Sequence, residues 1–320
     1  MKKRVVIVRG VFPEVVQSLQ RKFEVVHNAE DRPWPKEELV ERLQGAAAAM
    51  TTVMDRFDAE VIERCRDLKV ISNIAVGYNN IDLAACKARG IRVTNTPGVL
   101  DDTTADLTWA LLMAAARRIA EGDAYVRAGD WKIAFGVQYF LGADIHHATL
   151  GIVGMGRIGQ AVARRARGFD MRVQYYNRTR LPEEQERALD ATRVEYHELL
   201  RTSDFVVVMA PYSPSTHHLI GAAELALMKP TAVLVNSARG GVVDDAALVE
   251  ALRTKRIAAA GLDVFEGEPD AHPGYRGLRN VVMTPHIGSA SRATRLVMCN
   301  TAAANLTAVL EGREPPNPVN

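Results

Sequence analysis

Three shortages narrow the reading before any motif is sought. Cysteine is scarce: Cys65, Cys86 and Cys299 are the three in 320 residues, widely spaced and odd in number. That argues against a disulfide framework or a cysteine-built zinc site and fits reduced thiols in the cytoplasm. No run of about 18 apolar residues occurs, so the sequence carries no signature of a membrane-spanning helix. A charge excess is also missing. Forty Lys and Arg against 38 Asp and Glu leave a formal net charge of +2, which gives no general case for binding nucleic acid or a membrane surface. The opening MKKRVVIVRG has four apolar residues before Arg9. That is too few for the core of a signal peptide, so a first strand is expected there instead.

What is present is alternation. Hydrophobic residues make up 48% of the chain, enough for substantial cores, and the length suits two domains. Strands are expected at 4–8, 46–50, 69–72 and 91–95, with helices at 13–21, 36–43, 58–65 and 82–89 between them. This order argues for a parallel sheet covered by helices. A long helix over 101–125 follows, capped by Asp102 or Thr103, apolar on several sides and suited to bridge two domains. A second series has strands at 149–153, 172–176, 205–209, 232–236, 258–262 and 281–284. Helices are expected at 157–167, 195–201, 222–228 and 244–254. A last helix, about 289–311, has no strand after it and is expected to return to the first domain. Residues 312–320, GREPPNPVN, read as an irregular tail.

The second series opens with GMGRIG, residues Gly154, Met155, Gly156, Arg157, Ile158 and Gly159. The glycines permit a tight turn, close approach of backbone to a pyrophosphate, and close helix–strand contact. The following helix N-terminus offers free N–H groups and the positive end of its dipole. The motif follows an apolar strand and opens a helical pattern, the context it requires, so a dinucleotide is the expected cofactor. The next strand, RVQYY, ends on Asn177, Arg178, Thr179 and Arg180. An acid here would accept hydrogen bonds from the ribose of NAD and repel the 2′-phosphate of NADP. Asn177 removes the repulsion, and Arg178 or Arg180 offers a forked contact to the phosphate. NADPH is therefore expected to be preferred, with NAD possible. The competing reading is a solvated basic turn.

Four polar residues follow later strands of the same series: Arg239 in NSARGG, Asp263 and Glu268 in DVFEGEP, and His286 in TPHIGS. If the strands are parallel, all four share the carboxyl edge of one sheet, where ligands bind in open α/β folds. A nicotinamide delivers hydride to a ketone carbon, and the oxygen then needs a proton. An imidazolium at His286 suits that role near neutral pH, oriented by a carboxylate at Glu268. Arg239 suits a substrate carboxylate and would polarise the adjoining carbonyl. In the first domain, NIAVGYNNID places Val76 and Gly77 in a loop after a strand, where their N–H groups would hold the other carboxylate oxygen, unless the loop is an ordinary strand–helix turn. The pairs His146-His147 and His217-His218 read as loop or packing residues without a catalytic role, and no metal is expected.

These segments together resemble the D-isomer-specific 2-hydroxyacid dehydrogenase family, particularly its glyoxylate/hydroxypyruvate reductase and 2-ketogluconate reductase branch. AVGYNNID, NTPGVL, TLGIVGMGRIGQAVARRA, NSARGGVVD, AAAGLDVFEGEP and TPHIGSA carry the resemblance across nearly the whole chain. It implies an α/β fold of two Rossmann-like domains with parallel sheets. The substrate domain would be flavodoxin-like and discontinuous, residues 1–100 with 286–320, and the dinucleotide domain would cover 101–285. It also implies reduction of a small 2-oxoacid (glyoxylate, hydroxypyruvate or 2-ketogluconate) to the D-2-hydroxyacid, in a cleft that closes. By the same resemblance Arg239 binds substrate, Glu268 assists His286, His286 is the general acid/base, and Ala238 and Asp263 lie on the cofactor side. A homodimer is implied, with Tyr139 or Phe140 near the partner's site or simply packing in the interface. Two alternatives share the fold: 3-phosphoglycerate dehydrogenase, and a non-catalytic dinucleotide-sensing corepressor. Formate dehydrogenase fits less well, because its pattern has Gln where Glu268 stands.

Overall fold

Residues 2–320 are described by a computed structural model and divide into two units. In β1 (Arg4–Ile7), Val5 and Ile7 enter one core while Val6 and the following Val8 enter another. Successive side chains of a strand point to opposite faces, so this apolar run belongs to a sheet buried on both sides. The remaining elements here are α1 (Pro13–Gln20), β2 (Glu24–His27), α2 (Lys36–Leu43), β3 (Ala46–Thr51), α3 (Ala59–Arg64), β4 (Val70–Asn73), α4 (Leu83–Ala88) and β5 (Arg92–Thr94). The five strands are all parallel, in the order β2-β1-β3-β4-β5. Apolar residues of α2, α3 and α4 fill one face of the sheet and those of α1 begin the other. Asp58 and Asp82 start α3 and α4 by accepting the N–H groups of Val61 and Ala85, donors with no partner inside the helix.

The larger unit runs from Asp101 to Ser289. Its elements are α5 (Asp101–Ala116), α6 (Ile119–Arg127), β6 (Thr149–Val153), α7 (Arg157–Ala166), β7 (Arg172–Tyr176), α8 (Glu183–Leu189), β8 (Ala191–Arg193), α9 (Tyr196–Thr202), β9 (Phe205–Val208), α10 (Ala222–Leu227), β10 (Val233–Asn236), α11 (Asp245–Arg253), β11 (Ala259–Leu262) and β12 (Val281–Met283). Seven parallel strands lie in the order β12-β11-β10-β9-β6-β7-β8. Chain order therefore reverses direction between the neighbours β6 and β9, the switch point of a doubly wound sheet. Residues of α5 and α7 cover one face; those of α9, α10 and α11 cover the other. No helix among the described residues is long and apolar enough to cross a membrane.

The final helix, α12 (Arg292–Leu310), returns to the smaller unit, where Cys299, Ala302, Leu306 and Leu310 join α1 on its sheet. Asn305 secures the return: its amide donates to Asn95 O at 3.0 Å and accepts the Asn317 N–H at 3.1 Å. The units divide between Ser289 and Ala290, so residues 286–289 group with the larger unit and not with the smaller one as expected. The reason is Asp263, which accepts the N–H groups of His286, Ile287 and Gly288.

The structure departs from the sequence reading in three further places. The helix expected over 101–125 is two helices, and α5 lies on the larger unit's own sheet, packed with Leu150, Val207 and Val235. The Ala116 carbonyl accepts the Ala143 N–H at 2.9 Å, and Arg118 turns left-handed (φ 54°), which ends α5 without a proline or glycine. Strands β2 and β8 were not expected. Both are short edge strands with few fully buried positions. The sequence pattern does not predict helix α8 either, since only Glu186 and Leu189 of its seven residues are buried.

Candidate functional site

Parallel strands place every candidate in the larger unit at the same, carboxyl-terminal edge. Gly154 follows β6, Asn177 follows β7, Arg239 follows β10, Asp263 follows β11 and His286 follows β12. The three glycines of the first loop do different work. Gly154 has φ +103° and lies so close to the Met209–Ala210 backbone that a Cβ would sit 2.6 Å from Ala210 N. A Cβ on Gly159 would collide with Gly154 O, so the start of α7 rests directly on the loop. Gly156 instead faces open space. Beside it are the first N–H groups of α7, which lack partners within the helix, so room and donors for an anion coincide. A dinucleotide pyrophosphate fits this cradle.

The neighbouring turn separates its two arginines. Asn177 accepts the Met155 N–H through Oδ1 at 2.7 Å, tying the turn to the glycine loop. Arg180 forks onto Glu186 at 2.7–3.1 Å, and the Tyr175 hydroxyl donates to the same carboxylate at 2.6 Å. Those two partners hold the Glu186 carboxyl down at about 2. Arg180 is thus committed to α8. Arg178 is exposed, and it and Thr179 have no hydrogen-bond or ion-pair partner among the described residues.

Arg239 sits in a turn built by Asn236, which donates to Arg239 O and accepts the Ala238 N–H, both at 3.1 Å. Its Nη1 donates to Ala238 O at 2.7 Å, while Nε is shut off from solvent with no partner among the described residues. Burial pulls the guanidinium pKa down and the Glu268 charge pulls it back up. An arginine remains cationic under such a shift, so the turn presents a desolvated charge and an idle N–H donor. Gly240 is obligatory next to it, because a Cβ there would overlap Phe265 O.

Glu268 and His286 meet at 2.7 Å, Oε2 to Nδ1. The other carboxylate oxygen accepts the Phe265 N–H at 2.9 Å. Burial alone would raise the Glu268 pKa. The hydrogen bond and charge of His286, the Phe265 N–H and the Arg239 charge outweigh it, and the carboxyl lies below its ordinary value. His286 holds a left-handed backbone conformation, φ 52°, uncommon for a residue with a Cβ. It is kept there from below. Asp263 O accepts the His286 N–H at 2.9 Å, and the buried Asp263 carboxylate accepts Thr284 Oγ1 at 2.6 Å and the Ile287 and Gly288 N–H groups at 2.8 Å each. Burial raises the Asp263 pKa despite these donors. The resemblance put Asp263 on the cofactor side; the structure engages both its oxygens with the 284–288 turn. Sequence reasoning missed that anchor, and an acid directly after the apolar run AAAGL was the available signal.

In the smaller unit, the Val76 carbonyl accepts Asn95 Nδ2 at 2.8 Å and the Gly77 carbonyl accepts Asn73 Nδ2 at 2.7 Å. Neither residue's N–H has a partner among the described residues. Both carbonyls are tethered and both donors idle, the arrangement of an anion nest. The sequence reading missed the two asparagines that fix it.

Residues 109–288 match the family described as D-isomer specific 2-hydroxyacid dehydrogenase, NAD binding domain. A glyoxylate reductase of Thermococcus gammatolerans is 48% identical over 323 residues, covering 100% of this chain and 96% of the relative. A crystal structure of a Thermus thermophilus protein superposes with TM-score 0.91 at 48% identity, covering 99% of this chain and 100% of that one. An NADPH-dependent glyoxylate/hydroxypyruvate reductase from Sinorhizobium meliloti, solved with NADP and malonate, gives TM-score 0.89 at 31% identity over 100% and 97% of the two chains.

Proposed function

We propose, for a chain that belongs to the D-isomer specific 2-hydroxyacid dehydrogenase family of oxidoreductases, the NADPH-dependent reduction of glyoxylate, and of hydroxypyruvate, to the D-2-hydroxyacid. The observation that carries this reading is the Glu268–His286 pair at 2.7 Å on the same sheet edge as the idle Nε of Arg239. The larger domain would be the dinucleotide domain, the smaller one the substrate domain, and the protein cytoplasmic.

A bound nicotinamide would supply the hydride; the chain supplies the rest. Arg239 holds the substrate carboxylate and draws electron density from the adjoining carbonyl. Val76 and Gly77 offer N–H groups suited to a carboxylate oxygen. His286 gives its Nε2 proton to the carbonyl oxygen, while Glu268 on Nδ1, 2.7 Å away, fixes the orientation of the ring for that transfer. Because the Glu268 pKa is depressed, its negative charge is present throughout the neutral range and is lost only as pH falls through that depressed value. Asp263 positions the histidine without touching substrate. Gly154, Met155, Gly156, Arg157, Ile158 and Gly159 would cradle the pyrophosphate, and Ala238, in the turn that carries Arg239, would lie on the cofactor side.

NADPH is preferred because Asn177 carries no charge to repel a 2′-phosphate and Arg178 is uncommitted. Arg180, engaged by Glu186, plays no part in that choice. A homodimer is proposed through the apolar surface after α6, where Phe135 and Val137 are each 83% exposed and Trp131, Ile133 and Leu141 are exposed with them. Tyr139 and Phe140 pack with Tyr125 beneath it, which suits an interface role. A single-chain mass for the purified protein in light scattering would reject the dimer.

Three kinetic outcomes are expected. Folded His286→Ala should reduce glyoxylate about 10²–10⁴-fold more slowly, the scale of a lost general acid; near-normal turnover would remove the assignment. Hydroxypyruvate should have a much larger kcat/KM than glycolaldehyde, which lacks the carboxylate, and equal values would contradict the role of Arg239. For the coenzymes, Arg178→Ala should cost NADPH about tenfold or more in kcat/KM, equivalent to about 1.4 kcal/mol, and leave NADH nearly untouched. Equal losses, or a native preference for NADH, would show that the turn does not read the phosphate.

A further inference from the structure

One group of side chains outside this machinery has the makings of a ligand set. His217, His218 and Glu266 each offer a ligand atom, and these atoms all lie within 4.8 Å of one another. The two histidines come from the connection between β9 and α10, and Glu266 from the segment after β11. Neighbouring residues in an extended chain point opposite ways. Here His218 has φ 50°, and the two imidazoles lie on the same side, stacked 3.9 Å apart. The His218 N–H is held by Gly241 O at 2.7 Å. His218 Nε2 lies 2.8 Å from Glu266 Oε2. His217 Nδ1 faces the Tyr212 hydroxyl at 3.4 Å, which leaves its Nε2 available.

We propose that His217, His218 and Glu266 form a surface site for a divalent d-block cation, with Zn²⁺ the best match. Two imidazoles and one carboxylate are a ligand set that zinc accepts, water completing the tetrahedron. Magnesium, which prefers oxygen ligands and keeps its own water, is a poor match. His217 and Glu266 are exposed, so an ion has an entry path. The bound ion would clamp two segments that flank the Arg239 turn, because Gly241 contacts the His217–Tyr212 side and Gly240 rests on Phe265. It would stabilise that turn without touching a reacting group.

The test is calorimetric titration of tag-free protein with ZnCl₂ and, separately, MgCl₂, with thermal unfolding in parallel. One Zn²⁺ per chain should bind with Kd of about 10 µM or tighter, raising the unfolding midpoint by linkage, and Mg²⁺ should do neither. His217→Ala and Glu266→Gln should each weaken zinc binding about tenfold or more. His146→Ala, which breaks the other adjacent histidine pair, should change nothing. Absence of uptake at about 100 µM ZnCl₂ would overturn the proposal. So would uptake that survives both His217→Ala and Glu266→Gln, or that disappears in His146→Ala.

Discussion

One buried carboxylate organises the functional edge of the larger sheet. Asp263 closes β11, and its backbone carbonyl and both side-chain oxygens are spent on residues 284–288. Those bonds hold His286 in a left-handed conformation that a residue with a Cβ would not otherwise favour. They also keep residues 286–289 with the larger unit before the chain leaves for α12. A buried carboxylate is costly unless donors surround it; here the donors are the turn it has to hold.

The remaining charges are arranged in series outward from that anchor. Glu268 is stabilised as an anion by His286 and Arg239, and Arg239 is desolvated with one donor idle. Partly screened from water, such groups act more strongly on one another and on a bound anion than they would in bulk solvent. The parallel topology makes the arrangement possible, because each strand delivers its following loop to the same edge. Residues as far apart in sequence as Gly154 and His286 thereby serve one region.

Much of this was legible in the sequence because it is written in short range. Alternating strands and helices, the spacing of GMGRIG and the order Arg239, Glu268, His286 follow from local patterns. What was not legible depends on tertiary partners. Strands β2 and β8 exist because a neighbouring strand offers them a ladder; their own residues show little burial pattern. The end of α5 is set by the Ala143 N–H, 27 residues beyond Ala116, with no breaker in the sequence between the two helices. Arg178 and Arg180 look alike in NRTR, and only Glu186, brought round by α8, separates them. His217 and His218 acquire a carboxylate partner 48 residues away.

The most direct test of this account is the kinetic behaviour of Asp263→Asn, which keeps the side chain's size but sets an amide against N–H donors. The anchor should fail while the cofactor cradle, built on β6 and α7, stays intact. With the fold verified by circular dichroism, kcat for glyoxylate reduction should fall about 10²-fold, the cost of misplacing a reacting group by about an ångström, while the Kd for NADPH stays within about threefold. Unchanged kcat with weakened NADPH binding would contradict the account, making Asp263 a cofactor contact and leaving His286 in place without it.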